Sequence, residues 1–253
     1  MRLKLIACEI IYRELCLCAA NSPHIVDLQF LQKGLHDSPT NEMVAAIQKE
    51  ITEAEKSPYD AVLLGYALCN NGAVGLHTER VPLVIPKAHD CITFFFGSRQ
   101  RYKDYFDNNP GTYFRTTGWQ ERNFVKSGMS VMSRLGLDKT YEEYVKKYGE
   151  ENAKYIMETL GDWKKNYKKM TYIEMGLATE LGYDTKAAAD AKENGWEFEK
   201  VQGDWRLLNA FVNGDWNKDF LVLKPGERIA ATNDADVLCA CRQCEATACA
   251  AKK

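Results

Sequence analysis

The sequence predicts an α/β fold with a mainly parallel sheet and flanking helices, in a Rossmann-like arrangement. Three observations support this prediction. Short apolar runs bounded by polar, glycine or proline residues are typical of buried parallel strands. Segments with apolar residues at helical spacing lie between these runs, and further strand-like segments follow in the last third of the chain.

The first hundred residues contain three predicted strands, at Arg2–Cys8, 61–68 and Leu83–Pro86. Apolar residues recur at helical spacing across 41–56, between the first two strands. A strand, a helix and a second parallel strand form a unit with a right-handed crossover. A further helix is expected to begin soon after the third strand.

The later part of the chain changes in composition and then returns to the same pattern. Residues 118–169 are rich in Lys, Glu, Tyr and Asn with helical periodicity. Strands are predicted at 170–175, 196–201 and 219–223, and a short helix capped by its first aspartate at 204–212. The total is about six strands.

The length of 253 residues allows one large domain or two small ones. We divide the chain into an α/β half at 1–117, a helical insertion plus a second α/β half at 118–232, and a Cys-rich tail at 233–253. The two α/β halves are interpreted as related, although no repeat in the sequence proves a duplication.

Composition and charge argue against several classes of function. The net charge is −2, the pI is about 6.1, and no basic run of the kind that follows a nucleic-acid backbone is present. No apolar run approaches the roughly 20 residues of a membrane-spanning helix. The N-terminal apolar run stops at Glu9 without a cleavage site, so it is interpreted as a strand. We expect a cytoplasmic protein with no nucleic-acid or membrane partner.

The cysteine count points to metal or redox chemistry, because disulfides are rarely maintained in the cytosol and an odd number cannot pair completely. The nine cysteines are Cys8, Cys16, Cys18, Cys69, Cys91, Cys239, Cys241, Cys244 and Cys249. Three of them, Cys8, Cys69 and Cys91, follow the first three predicted strands. Ligand sites form at the carboxyl ends of parallel strands, so these thiols are expected to converge.

Three converging thiolates suit zinc or an iron–sulfur cluster with one open coordination position. His36 and His89 are candidates for a fourth ligand or a proton donor, and Asp90 for a catalytic carboxylate. The alternative interpretation is structural, since free cysteines are often buried as small apolar residues. Burial is the default interpretation for Cys16 and Cys18.

Two segments near these thiols are candidates for substrate binding. Asn70 and Gly72 lie in a tight loop whose backbone N–H groups can meet an anion, although Asn-Gly is also a common turn. Ser98, Arg99 and Arg101 are candidates to hold a carboxylate or phosphate, with surface arginine as the alternative. The predicted substrate is a small anion.

The tail contains the sequence CACRQCEATAC. Its four thiols are candidates for a second metal site, and the residues are Cys239, Cys241, Cys244 and Cys249. The spacing matches neither a zinc finger nor a ferredoxin motif. An accessory metal or redox site and a flexible thiol tail therefore both stay open.

Several long stretches resemble a known family, catalogued as domain of unknown function 1638 and found mainly in anaerobic bacteria and archaea. They are IACEIIYRE, GLH, YDAVLLGYALCNNG, VPLVIPKAHDCITFFFGSRQRY and PGTYFRTTGW, within a likeness over roughly residues 1–230. Members are associated with corrinoid-dependent methyl transfer, so the resemblance implies one-carbon chemistry and a corrinoid protein or methyltransferase as partner. The chain has Lys87 where many relatives carry arginine, and Ala67 and Asn70 where glycines are common.

Two hypotheses of function follow. The first is a metal-dependent transferase or lyase whose three cysteines hold zinc or an iron–sulfur cluster and act on a small anionic substrate, in corrinoid-linked methyl or one-carbon transfer. The second is a non-catalytic protein that handles a metal, a cluster or a corrinoid for a partner enzyme. A metal-free binding domain with buried cysteines is a third alternative.

Overall fold

The structure is a computed structural model that describes residues 1–69, 71–122, 141–160 and 165–242. Its strands are β1 Arg2–Cys8, β2 Ile25–Leu31, β3 Ala61–Gly65, β4 Leu83–Pro86, β5 Thr112–Thr116, β6 Lys169–Glu174, β7 Glu197–Gln202, β8 Phe220–Leu223, β9 Arg228–Ala231 and β10 Leu238–Cys241. Its α-helices are α1 Tyr12–Asn21, α2 Thr40–Ala54, α3 Ile92–Phe96, α4 Arg99–Asn108, α5 Thr117–Glu121, α6 Tyr141–Tyr148, α7 Glu150–Leu160, α8 Tyr183–Glu193 and α9 Arg206–Val212.

A five-stranded sheet in the order β2-β1-β3-β4-β8 forms the centre of the molecule. The first four strands are parallel, and β8 pairs antiparallel with β4 at the edge. Every residue of β3 and β4 is buried, as expected for strands covered on both faces. The predicted α/β class with a mainly parallel sheet is confirmed.

The strand order creates a crevice at the carboxyl ends of β1 and β3. From β1 the chain passes through α1 to β2 on one side, and then through α2 to β3 on the other side of β1. The winding direction therefore reverses between β1 and β3, which is where open α/β sheets bind ligands. β2 was not among the predicted strands, because its sequence IVDLQFL places polar residues within an edge strand that is not fully buried at any position.

A second sheet contains the parallel strands β5, β6 and β7 in that order. The sequence analysis divided the two α/β halves at residue 118. In the structure β5 of the second sheet lies before that residue, and β8, which lies after it, pairs with β4 of the first sheet. Ile173 of β6 and Met175, which follows β6 directly, belong to the same buried core as the first sheet.

The two sheets meet where β5 leads into α5. Gly118 on α5 packs so closely on the turn after β1 that an added Cβ would lie 1.9 Å from the carbonyl oxygen of Ile10. Arg13 donates hydrogen bonds of 2.8 and 2.5 Å to the two carboxylate oxygens of Glu121, one from Nε and one from Nη2. These contacts hold the end of β5 against the carboxyl end of β1.

The remaining elements lie at the periphery of the two sheets. β9 and β10 form an antiparallel hairpin, and α6 and α7 lie in the region predicted to be helical. Across the ranges of the chain that the structure describes, no helix combines the length and apolar character that crossing a membrane requires.

A candidate thiol site between the two sheets

A cavity of about 250 Å³ lies at the carboxyl ends of the first sheet. One side is formed by the thiols of Cys8, Cys69 and Cys91 together with Tyr66. The opposite side comes from the second sheet and from α5, and its residues are Thr112, Tyr113, Phe114 and Trp119. The structure thus brings the three cysteines singled out from the sequence to one cavity.

Backbone contacts beyond the strands fix the positions of these thiols. Cys8 is the last residue of β1, and Cys91 precedes the first turn of α3. The loop after β3 continues to pair with the loop after β4, because Leu68 N donates to the carbonyl of Ala88 at 2.9 Å and Cys69 N donates to that of His89 at 3.0 Å. This pairing holds Cys69 next to Cys91.

The closest contact in the cluster joins the Sγ atoms of Cys69 and Cys91, which are 3.6 Å apart. His36 lies at the rim of the cavity, and its ring hydrogen-bonds to the Cys69 thiol. Within the described ranges, no group of three or more His, Cys, Asp or Glu side chains has a geometry that holds a metal ion as it stands. The three thiols therefore share one cavity without forming a metal-binding geometry among the described residues.

Hydrogen bonding gives the thiols different proton affinities. The hydrogen bond from Cys91, helped by that from His36, lowers the pKa of Cys69 to about 6 against the effect of burial. The same contacts raise the pKa of His36 and, together with burial, that of Cys91. Burial raises the pKa of Cys8 to about 12. The arrangement is one thiolate supported by an imidazole and a neighbouring S–H group.

The loop that carries Cys69 has an unusual backbone. Cys69 has a φ of +44° and Asn71 has a φ of +64°, a left-handed region that non-glycine residues rarely adopt. Gly72 packs against Met43 so closely that an added Cβ would lie 2.4 Å from its sulfur atom. Strained positions of this kind concentrate at functional sites.

Two buried residues with polar groups, Tyr66 and Lys33, are among the cavity residues that sequence reasoning missed. Tyr66 is buried, and its hydroxyl has no hydrogen-bond partner among the described residues. Lys33 is buried at the same cavity, with its Nζ 4.3 Å from the centre of the Trp119 ring. The available signals were weak: Tyr66 immediately follows β3, and Lys33 lies three residues before His36.

Asp90 separates this cavity from a second one of about 780 Å³. Its Oδ2 accepts a hydrogen bond from the Tyr102 hydroxyl at 2.7 Å, and its Oδ1 accepts one from the Ile92 N–H at 3.0 Å. His89 is exposed and lines only the second cavity of these two. Asp90 thus acts as a cap for α3, while His89 faces away from the thiols.

The predicted anion-binding arginines do not line the thiol cavity. Arg99 lines the second cavity, where its Nη1 donates to the carbonyl of Ala235 at 2.5 Å. Arg101 donates to the carbonyl of Gln202 at 2.6 Å, and the Ser98 hydroxyl caps α4. These groups bind the protein's own backbone.

The remaining predicted site residues lie elsewhere. Cys239 and Cys241 lie on β10, whereas Asn70, Cys244 and Cys249 fall outside the described residues. Cys16 and Cys18 lie on α1 and do not line the thiol cavity. The proposed second metal site therefore has no described geometry.

Comparison with known proteins gives a family and no activity. No curated protein and no solved structure matches the chain significantly. One family profile matches residues 30–212, a span that includes Cys69, Cys91 and His36 but not Cys8. The description of that family is Protein of unknown function (DUF1638), and the chain belongs to it.

Proposed function

We propose that the protein is a metal-dependent enzyme in which Cys8, Cys69 and Cys91 hold one zinc ion at the floor of the cavity and leave one coordination position open. The observation that carries this proposal is the 3.6 Å separation of the Cys69 and Cys91 sulfurs. Two thiolates bound to one tetrahedral zinc, with Zn–S distances of about 2.3 Å, are about 3.8 Å apart. In a cubane iron–sulfur cluster each thiolate binds a different iron, which separates the sulfurs more widely.

The third thiol fits the same ion after a small movement. Cys8 lines the same cavity, and His36, whose ring contacts Cys69, lies beside the pair as a base. Because no three such donors converge as they stand among the described residues, rotation of the Cys8 side chain toward the Cys69–Cys91 pair is part of the proposal. Binding would also displace the protons that burial and hydrogen bonding hold on Cys8 and Cys91.

The reaction that we propose is transfer of a methyl group to a substrate thiol. Zinc with several thiolate ligands is electron-rich and supplies activation of a thiol as a nucleophile. The substrate sulfur forms a bond to the methyl carbon, the bond from carbon to the donor breaks, and the donor keeps the electron pair. The thiol proton leaves on binding, and His36 at the rim of the cavity accepts it. A methylcorrinoid carried by a partner protein is the donor class that the family association favours.

Metal analysis tests the proposed site. Protein purified without oxygen is expected to contain about one zinc per chain and no acid-labile sulfide, and Cys69→Ser and Cys91→Ser should each lose most of the metal. Cys18→Ser is the matched control, because Cys18 is equally buried but lies on α1, and it should retain full metal content. Full metal content in both cavity variants would overturn the proposal.

The same samples separate the alternatives. If the samples contained stoichiometric iron and sulfide and absorbed visible light, the cofactor would be an iron–sulfur cluster and not zinc. Zinc at full content, transferred to a partner enzyme without any methylation of a thiol, would favour the metal-handling function instead.

A further inference from the structure

The sulfur atoms of Cys69 and Cys91 lie close to the separation that a disulfide requires. Both residues are free thiols, and their Sγ atoms are 3.6 Å apart. Because bonded sulfurs are about 2.05 Å apart, each sulfur has to move by only about 0.8 Å to form the bond. A displacement of this size is within the reach of side-chain rotation.

The backbone keeps the two sulfurs together independently of any contact between them. The hydrogen bonds between the loops after β3 and β4 join the two segments, and each cysteine is also fixed by the turn that follows it. The carbonyl of Cys69 accepts from the Gly72 N–H at 3.0 Å, and that of Cys91 accepts from the Phe94 N–H at 3.2 Å. A reaction between two groups held in this way is intramolecular and has a high effective concentration.

The thiol cavity admits only a small reagent to this pair. Cys69 is 6% exposed and Cys91 is 8% exposed, and both line the cavity of about 250 Å³. Hydrogen peroxide is little larger than water, which takes up about 30 Å³ in the liquid, so it fits beside the sulfurs. Glutathione disulfide is too large for the cavity.

We propose that Cys69 and Cys91 form an oxidation site at which a small hydroperoxide converts the two thiols into a disulfide. The Cys69 sulfur, which hydrogen-bonds to the His36 ring, attacks one oxygen of hydrogen peroxide. A sulfur–oxygen bond forms, the oxygen–oxygen bond breaks, and the departing hydroxide takes the Cys69 thiol proton and leaves as water.

The second step consumes the sulfenic acid that the first step leaves on Cys69. The Cys91 sulfur attacks the Cys69 sulfur, so that the sulfur–sulfur bond forms and the sulfur–oxygen bond breaks. The hydroxide leaves with the Cys91 proton as a second water. The two thiols together lose two electrons, and the peroxide gains them.

This oxidation would control the site described under the proposed function, and only this consequence rests on that proposal. Bonded sulfurs about 2.05 Å apart cannot both serve as ligands of one zinc ion, which needs them about 3.8 Å apart. The disulfide and the metal therefore exclude one another, and reduction of the disulfide restores the metal ligands.

Peptide mass spectrometry of metal-free wild-type protein tests the oxidation site. Hydrogen peroxide should produce a peptide cross-linked between Cys69 and Cys91, and dithiothreitol should restore labelling of both by iodoacetamide. Glutathione disulfide at the same concentration should leave both thiols reduced. Cys16, which is half-buried on α1, is the control in the same sample and should keep its label. Absence of this cross-link, a cross-link from Cys69 to Cys8 instead, or equal oxidation by glutathione disulfide would overturn the inference.

Cys91→Ser separates the two steps. Without the second sulfur, Cys69 treated with hydrogen peroxide should gain oxygen, detected as an increase in peptide mass, whereas in the wild type Cys91 captures the sulfenic acid first. Cys8→Ser is the matched control and should still form the cross-link between Cys69 and Cys91. A Cys69 that gains no oxygen in Cys91→Ser would contradict the proposed order of steps.

Zinc analysis of the same samples keeps the two proposals apart. If the protein holds zinc, peroxide should release it in step with the cross-link, and reduction followed by added zinc should restore it. A cross-link in protein that binds no zinc would support this inference while the proposed function failed. Full zinc content, with no cross-link even after the metal is removed, would do the reverse.

Discussion

The thiol cavity and the buried face of helix α1 each bury a cysteine almost completely, yet the pKa values of the two thiols are shifted in opposite directions. Cys69 is 6% exposed and Cys18 is 3% exposed. The pKa of Cys69 is lowered to about 6, whereas burial raises that of Cys18 to about 12. Burial alone therefore does not distinguish a reactive cysteine from a structural one.

The difference comes from the neighbours of each sulfur. Cys69 receives hydrogen bonds from Cys91 and His36, which stabilise its thiolate. The thiol of Cys18 donates to the Asn209 side-chain carbonyl at 3.3 Å, which stabilises its protonated form, and the nearby Glu14 carboxylate opposes ionisation further. In the cavity the partners oppose the effect of burial, and on α1 they reinforce it.

The largest effect is expected at Glu14 on α1, whose carboxylate is buried without a hydrogen-bond partner among the described residues. It should make the free energy of unfolding depend on pH. It is fully buried, neither carboxylate oxygen has a partner among the described residues, and burial raises its pKa from 4.5 to about 7. Because the folded-state pKa is raised, the stabilising contribution is complete below pH 4.5 and is lost as the pH rises through 7. Between pH 4 and pH 8 the free energy of unfolding should fall by about 3 kcal/mol from this group.

Urea unfolding at several pH values measures this slope. Glu14→Gln cannot ionise, so it should lack this component of the pH dependence and gain stability over the wild type at pH 8. Glu53→Gln on the exposed face of α2 is the control and should keep the wild-type slope. An unchanged slope in Glu14→Gln would contradict the account of the α1 face.

Cys69 and Cys18 should differ by about a hundredfold in alkylation rate at pH 7 in metal-free protein. The thiolate fraction favours Cys69 by several orders of magnitude, and the lower nucleophilicity of a low-pKa thiolate offsets part of this advantage. The rate at Cys69 should fall as the pH falls below 6 and level off above it. Mass spectrometry of iodoacetamide-labelled peptides measures both sites in one sample. Equal labelling of the two would remove the distinction between the regions.

The convergence of the three thiols could be predicted from the sequence, because it depends only on where each predicted strand ends. Cys8, Cys69 and Cys91 each follow a short apolar run, and parallel strands carry their carboxyl ends to one edge. The buried strands and the helix at Arg206–Val212 were likewise predictable from apolar periodicity and from the Asp204 cap. Local sequence patterns are enough to predict a site when its residues lie at the ends of neighbouring strands of one sheet.

The rest of the site depends on how the second sheet docks, which no local pattern encodes. Trp119 reaches the cavity because Gly118 lets α5 approach the turn after β1. Lys33 becomes a cavity residue only when that ring lies beneath it. Arg99 and Arg101, which appeared better placed in the sequence, are turned by α4 toward backbone carbonyls outside the cavity.

The smallest expected effect separates the two partners of Cys69. His36→Ala removes one hydrogen bond worth about 1 kcal/mol, which should raise the pKa of Cys69 by about 0.7. The alkylation rate of Cys69 at pH 5.5 should then fall by about twofold in metal-free protein, because an approximately fourfold loss of thiolate is partly offset by its higher nucleophilicity. His89→Ala is the matched control, since His89 is exposed and faces the second cavity, and it should leave the rate unchanged. If His89→Ala lowered the rate instead, the imidazole assignment would be wrong. If neither variant lowered the rate, the Cys91 thiol alone would account for the lowered pKa of Cys69. The difference between Cys69 and Cys18 would then come only from the second sulfur beside Cys69.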